Sequence, residues 1–350
     1  MPNFELIPES SGPLLGRRFW DKFLLNSVSD RNFALRRWRL AAALVVCGAW
    51  LAAESAAAEP RQAPAVDRAS YERETRPGRA EAVHFTQRGP QVGDQTEQTV
   101  AVALRLDTMV RQGSELVEQA KTTIRREQRR VVTATEVESG RTVAALVRYV
   151  EATKQVATGP TAADLQAGPT TPQPVAGMAY RCRREGDELR ITDAQGNIPP
   201  LDQFEIVALN MESLGRPSPL ADFLAGRTVA VGATIELPNE LAEKLLGLGD
   251  TLGKVTQFRL TLDKIEPVDS AECAVFHASI DAASNDSSQL RLQLEGPLVI
   301  QAATCRAVQA SLTGPIGMSE TRGSLTAAYQ MTGAGKMTVE IASTYRDVAR

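Results

Sequence analysis

Apolar residues recur at every second position through most of the chain. Val100, Val102, Leu104 and Leu106 face one way, with Thr99, Ala101, Ala103 and Arg105 between them. The same two-residue period runs through Val131, Thr133, Thr135 and Val137, and through Val143, Ala145, Val147 and Tyr149. Alternation rich in β-branched residues predicts half-buried strands, with turns at Gly113 and Ser139-Gly140. Further along, Tyr180–Arg184 and Leu189–Thr192 flank Glu185-Gly186-Asp187, a hairpin signal. A meander follows in which Phe258, Leu260, Leu262; Phe276, Ala278, Ile280; Leu290, Leu292, Leu294; Val308, Ala310, Leu312; Leu325, Ala327; and Met337, Val339, Ile341 alternate with polar residues. "SNDSS" and "TGAG" read as turns within it.

Helical spacing is confined to the middle of the chain. After Pro199-Pro200, residues 201–214 place Phe204, Val207, Ala208 and Met211 on one face. "SPLADFL" adds a short helix, with Ser218 as cap and Pro219 at its first position. "VAVGATIELPNELAEKLLGLG" predicts one strand through Val229, Val231, Ala233 and Ile235, a stop at Pro238, then a helix capped by Asn239 that buries Leu241, Leu245 and Leu248. The expected fold is α+β: long antiparallel curved sheet, half-barrel-like, with a few helices covering one face.

Punctuation along the chain divides it. Arg36, Arg37 and Arg39 precede an apolar run over 40–53, and Ala56-Ala57-Ala58 supply small residues before Glu59. That order is a secretory signal, so residues 1–58 read as a leader cleaved near Ala58. The run is too short for an ordinary membrane span of about 20 residues; a short anchor or a buried helix is the alternative. Residues 59–80 read as a flexible stalk, 81–156 as a β-rich segment, 157–174 as a Pro/Gly/Thr-rich linker and 175–350 as an α+β segment packed with 81–156 into one curved-sheet unit. The expected location is periplasmic or extracellular, with no membrane span in the mature chain. "VGDQTE" at 92–97 and "VGATIE" at 231–236 echo each other, each opening a strand-rich section.

Composition narrows the chemistry. Charged residues make up 23% and aromatics only 5%, with a formal net charge of -3. No whole-chain attraction to nucleic acid follows. Three of the four cysteines lie beyond the leader. In an oxidising compartment Cys273 and Cys305, on neighbouring expected strands, are the preferred disulfide; three buried thiols acting as small apolar residues are the alternative.

The segment 175–345 resembles an uncharacterised type of bacterial secreted β-rich domain. The resemblance rests on a strand hairpin, a helical stretch, a V-x-V-G-x-x-x-x-L-P turn at 229–238 and a β meander. Ile235 stands where such domains often carry Trp. It implies fold and export and transfers no catalytic residue. At the level of fold, the pattern is also similar to half-barrel carriers of lipids and lipoproteins, in which a curved sheet holds acyl chains.

Motifs for catalysis are missing from the sequence. His84 and His277 have no ligand partners at useful spacing, and nucleophile-elbow, phosphate-loop and dinucleotide motifs do not occur. Ser114 follows a turn glycine without the second glycine of an elbow, and Asp187/Glu188 and Asp263/Glu266 are ordinary carboxylate pairs. An enzyme would need the helices of 201–224 to present carboxylates into a hollow, and it is not the expectation. No metal and no cofactor are expected. "IRREQRR" concentrates Arg125, Arg126, Arg129 and Arg130, either as a surface contact for an anionic polymer, glycan or headgroup, or as a charged edge that blocks aggregation. The expected function is a non-catalytic envelope or secreted protein that binds another protein or a surface polymer. The alternative is an apolar-ligand carrier, lipid or acyl chain, with Phe258, Leu260, Leu262, Leu290, Leu292 and Leu294 lining the cavity.

Overall fold

The computed structural model describes residues 81–161, 165, 167–246, 254–284, 288–322 and 328–348. The expected leader and stalk, the turn at 284–288 in large part, and Leu325 and Ala327 lie outside the described residues. Among those described, the long strands alternate as the sequence demands and pair antiparallel throughout. They are β1 (Ala82–His84), β2 (Gln95–Gln112), β3 (Glu115–Glu138), β4 (Arg141–Gly159), β5 (Thr171–Pro172), β6 (Ala179–Glu185), β7 (Glu188–Asp193), β8 (Thr228–Ala230), β9 (Thr234–Glu236), β10 (Lys254–Val268), β11 (Ala271–Ala283), β12 (Ser288–Gln301), β13 (Ala307–Arg322) and β14 (Tyr329–Arg346). Three helices interrupt them: α1 (Leu201–Asn210), α2 (Pro219–Leu224) and α3 (Asn239–Leu246).

Twelve strands form one curved sheet in the order β7-β6-β4-β3-β2-β14-β13-β12-β11-β10-β9, with β5 attached to β4. The sheet does not close into a barrel. The first and last of the long strands meet at its centre, where β2 pairs with β14 over their whole length, so 81–156 and 175–350 contribute to one ladder. The remaining strands, β1 and β8, make a two-stranded ribbon. Its Phe85 stacks on Phe276 of β11 with ring centroids 6.1 Å apart.

The main core lies on one face of the sheet, and a small buried cluster of Cys273, Val275 and Val299 lies on the other. Reading across the register, Val102, Val339, Leu312, Phe276 and Leu260 all point inward and are buried. Three glycines let the strands bend. A Cβ on Gly296 would sit 2.1 Å from the Ser311 carbonyl oxygen, one on Gly314 2.0 Å from that of Gln293, and one on Gly335 1.9 Å from that of Arg105. Neighbouring backbones approach too closely for any side chain, the condition that glycine kinks create in strongly bent sheets.

The stretch "TGAG" is therefore part of β14 and its bend, not a turn. Two other expectations shift. The strand expected from Val229 to Ile235 is broken at Gly232, whose φ of 84° ends β8 and starts β9 separately. Ala157–Gly159, expected as linker, extend β4 opposite Lys121–Thr123, and Thr171-Pro172 pair with it again. The echoed motifs do share geometry: Gly93 has φ 93°, and each opens a strand, long in β2 and three residues in β9.

Helix α1 lies on the inner face near the β7 edge. Val207, Met211 and Leu214 pack with Val132, Ala145, Val147, Tyr149, Tyr180, Cys182 and Ile191. Ser218 caps α2, accepting from the Ala221 N–H at 3.4 Å. Asn239 is the first residue of α3, one position inside the expected cap.

Candidate functional site between α1 and the inner face

The inner face changes character along the sheet. Under β10–β13 it is apolar; under β2–β4 apolar residues are interrupted by Gln98, Arg126, Gln128, Arg130 and Lys154. In β3 the inward phase reads Thr122, Ile124, Arg126, Gln128, Arg130, Val132 and Ala134, fixed by pairing with even-numbered residues of β2. The expected phase through Val131, Thr133 and Thr135 is thus the outer one; Val132 and Ala134 are the buried pair. Outward β-branched residues on a central strand imitate a core pattern, which is why the alternation pointed to the wrong face.

This phase also splits the arginine cluster. Arg125 and Arg129 face outward, where Arg125 pairs with Glu127 and Arg129 lies 3.7 Å from Glu97. Arg126 and Arg130 face inward, and Arg130 is only 1% exposed. The four are therefore not one surface patch, and β3 is no edge, since β2 and β4 flank it.

Arg130 anchors a hydrogen-bonded chain. Its Nη2 donates to Gln98 Oε1 at 2.7 Å, and Gln98 Nε2 donates to Ser343 Oγ at 3.2 Å. On the α1 side, Asn210 Nδ2 donates to Tyr149 Oη at 2.8 Å and to Gln128 Oε1 at 3.2 Å. Gln128 Nε2 continues to Gln173 Oε1 at 3.0 Å. A bulge in β4 opposite Arg129/Arg130 aligns Arg130 with Tyr149 and skips Val150. Burial pushes the Tyr149 phenol up, opposed by the Arg130 charge and the Asn210 hydrogen bond, so it stays a neutral hydroxyl.

Two clefts open beside this chain and share Asn210. One, with a cavity volume of about 30 Å³, is lined by Thr96, Gln98, Thr142, Ser213, Leu214 and Tyr345 among others. The second, also about 30 Å³, lies between Ile206, Leu209 and Asn210 of α1 and Val100, Arg126, Gln128 and Gln173 below. Opposite Arg126, on the same inward phase of β4, stands Lys154. Burial lowers the Lys154 pKa first, and the Arg126 charge lowers it further.

The other sequence candidates sit elsewhere. Phe258, Leu260, Leu262, Leu292 and Leu294 are buried and Leu290 half-buried, all on the inner face. None lines either cleft. Cys273 and Cys305 are not joined; Cys182, Cys273 and Cys305 are buried free thiols. Cys273 packs with Val275 and Val299, whereas Cys305 lies in the turn after β12 and donates to the Thr86 carbonyl at 3.2 Å. Burial pushes Cys182 and Cys305 up to about 12, which holds both as unreactive thiols. His84 and His277 are exposed on β1 and β11, and His84 Nδ1 is 3.0 Å from Thr228 Oγ1. No group of three metal-ligating side chains occurs among the described residues.

A second charged cluster ties the ends of the unit together. Arg306 Nη1 meets Asp347 Oδ1 at 2.8 Å, Arg88 Nη1 meets Asp347 Oδ2 at 2.5 Å, and Asp94 lies 3.4 Å from Arg88 and 3.9 Å from Arg306. Asp94 also accepts from the backbone N–H of Gln91 and Val348, both at 2.9 Å. The Arg306 guanidinium covers the Tyr345 ring at 4.9 Å.

No family model and no curated protein matches the chain. Among solved structures, a lipovitellin described for its lipid–protein interactions aligns with TM-score 0.34 and 11% identity, over 74% of this chain and 26% of that one. This chain thus spans about a quarter of the lipovitellin chain. A LolA-superfamily protein from Nitrosomonas europaea aligns at TM-score 0.13 and 8% identity, covering 71% and 87% of the two chains. The outer membrane protein OprG from Pseudomonas aeruginosa gives TM-score 0.15 and 7% identity, covering 74% and 99%. These are weak similarities, too low to carry an argument about function. No helix among the described residues is long and apolar enough to cross a membrane.

Proposed function

We propose that the protein is a non-catalytic, exported binding protein that takes an amphiphilic component of the cell envelope beneath α1. One observation carries this reading. The second cleft sets apolar Val100, Ile206 and Leu209 directly beside Arg126, Gln128, Gln173 and Asn210. The head of a ligand with a hydrocarbon part and a polar end meets both needs in one place, and a site of about 30 Å³ takes a whole ligand only if α1 moves away from the sheet. Export rests on the Arg36–Ala58 leader. The non-catalytic part of the reading rests on the sequence, in which nucleophile-elbow, phosphate-loop and dinucleotide motifs do not occur.

A protein or surface polymer is the second reading. It is favoured by the tip of the β2–β3 hairpin, where Leu116 and Val117 are 47% and 53% exposed. Native mass spectrometry of the full chain purified from an envelope fraction separates the two. A small-molecule adduct in the wild type that disappears in Leu209→Trp supports the cleft. An adduct unchanged by Leu209→Trp, or a bare mass together with no thermal shift from a panel of short-chain amphiphiles, defeats it.

A further inference from the structure

We propose that β3 offers its free edge at Glu115–Ala120 to an extended basic peptide of a partner protein, which adds to the sheet as a further strand. The inference rests on the second reading, a protein partner at this tip, and is independent of the cleft beneath α1. β3 outruns the strand beside it. β4 ends at Gly159, opposite Lys121, so Glu115–Ala120 pair with β2 on one side only. In an antiparallel ladder every second residue turns its N–H and C=O away from a given neighbour. Along this overhang those groups meet no backbone partner among the described residues, and Glu115–Gln119 are exposed in succession. Neither Lys nor Pro, the usual guards of an open edge, occurs in the stretch.

The chemistry of the edge selects its occupant. The register passes from Val110 opposite Glu118 to Arg111 opposite Leu116, leaving Val117 as the extra residue of a bulge. Glu115 and Glu118 therefore share the inward phase although three positions apart, while Leu116 faces outward. Neither carboxylate is in an ion pair among the described residues. Lys121 is held by Asp107 at 2.8 Å, and Arg111 stands one strand in from the edge. A strand with Lys or Arg on one face and aliphatic residues on the other meets both the carboxylates and Leu116. Its main chain supplies the hydrogen bonds and its alternate side chains the specificity. A second copy pairing through the same edge brings the carboxylates of both chains together, and like charges directly opposed destabilise a sheet. The occupant is therefore a different chain.

Fluorescence anisotropy with the full chain tests this with three capped peptides: alternating Lys and Val, alternating Glu and Val, and the Lys/Val peptide N-methylated at alternate backbone nitrogens. The Lys/Val peptide is expected to bind, and the N-methylated one at least tenfold more weakly. The double change Glu115→Lys with Glu118→Lys is expected to reverse the preference to the Glu/Val peptide. Glu188→Lys on β7, equal in charge to one of these changes and on the opposite edge of the sheet, is expected to leave binding unchanged. Hydrogen exchange gives a second readout, in which the bound peptide slows the amides of Glu115–Ala120. Equal binding of the N-methylated peptide, or equal losses in Glu118→Lys and Glu188→Lys, overturns strand addition and leaves the tip as a protein surface. Self-association of the full chain that Leu116→Lys abolishes assigns the edge to a second copy and overturns the basic partner. No binding of any peptide and no slowed exchange overturn the inference, and the cleft beneath α1, read by the Leu209→Trp adduct, stands or falls separately.

Discussion

Arg306 and Lys154 are both basic residues drawn out of water by the same sheet, and their surroundings are opposite. Arg306, 2% exposed, meets Asp347 and Asp94 and covers the Tyr345 ring. Lys154 meets another cation. A buried charge with its counter-charge in place is a structural fastening: it joins the β12–β13 turn to residues 88–94 and to the chain after β14. Lys154 stands opposite Arg126 on β3, whose charge lowers its pKa on top of the effect of burial. The same residue chemistry thus meets attraction in one place and repulsion in another, and the neighbours decide which.

The fastening should be the costlier to break. Arg306→Ala removes one partner of a buried pair and leaves Asp347 and Asp94 short of charge, an expected loss of about 3–5 kcal/mol in urea unfolding. Its pH signature is equally specific. Burial alone would raise the Asp347 pKa, but the hydrogen bond and charge of Arg306, with the charge of Arg88, outweigh it and hold the pKa below the usual carboxylate value. A depressed folded pKa contributes stability above the unfolded value of about 4, and that contribution is lost as pH falls through the folded value. The difference between wild type and Asp347→Asn should therefore be present at pH 6 and shrink steadily in strongly acidic buffer. A difference constant with pH would refute the assigned role.

The bend that brings both clusters onto one sheet can be tested next. Gly335→Ala places a methyl 1.9 Å from a backbone oxygen of β2 that cannot swing aside. The expected loss is about 1–3 kcal/mol, against a few tenths for the outward-lying surface change Lys336→Ala. Equal effects would mean that the strands do not approach as described.

Glu205 offers the mirror image of Lys154: a buried carboxylate on α1 whose Oε2 has no hydrogen-bond partner. Burial, then the Asp202 charge, raises its pKa. The ionised form is penalised, so stability is fullest with the carboxyl protonated and falls as pH rises through the raised value. Glu205→Gln should be more stable than wild type by about 1 kcal/mol at pH 7. The gain should vanish on acidification, the reverse of the Asp347 profile, and a gain that persists at low pH would contradict the assignment.

Alternation made the sheet legible: β2, β4 and the meander from Phe258 to Ile341 could be read directly from it. What it concealed was phase. Thr133 and Thr135 face outward on a strand as rich in β-branched residues as any core strand, so the local pattern fits either side. A clue was nevertheless present. Ile124, Arg126, Gln128, Arg130 and Val132 share one phase that starts and ends on apolar residues, so the middle arginines had to point inward. Treating "IRREQRR" as one basic run erased that. The glycines of "TGAG" misled for a related reason: glycine marks turns and sheet bends alike, and only the approach of β2 distinguishes them. The clefts depend on α1 crossing β2–β4, a contact between residues some 80 apart that no short spacing announces.

The smallest effect sharpens the comparison most. Lys154→Gln keeps the length and polarity of the side chain and removes only the opposed charge. If the pair exists to stabilise the sheet, the substitution should cost stability, as Arg306→Ala does. If the pair is a repulsion the sheet tolerates, the substitution should raise stability by a few tenths of a kcal/mol, with the gain shrinking as added salt screens the repulsion. A thermal series at two salt concentrations reads both values, and a variant less stable than wild type in each would place Lys154 with Arg306 as a fastening of the fold.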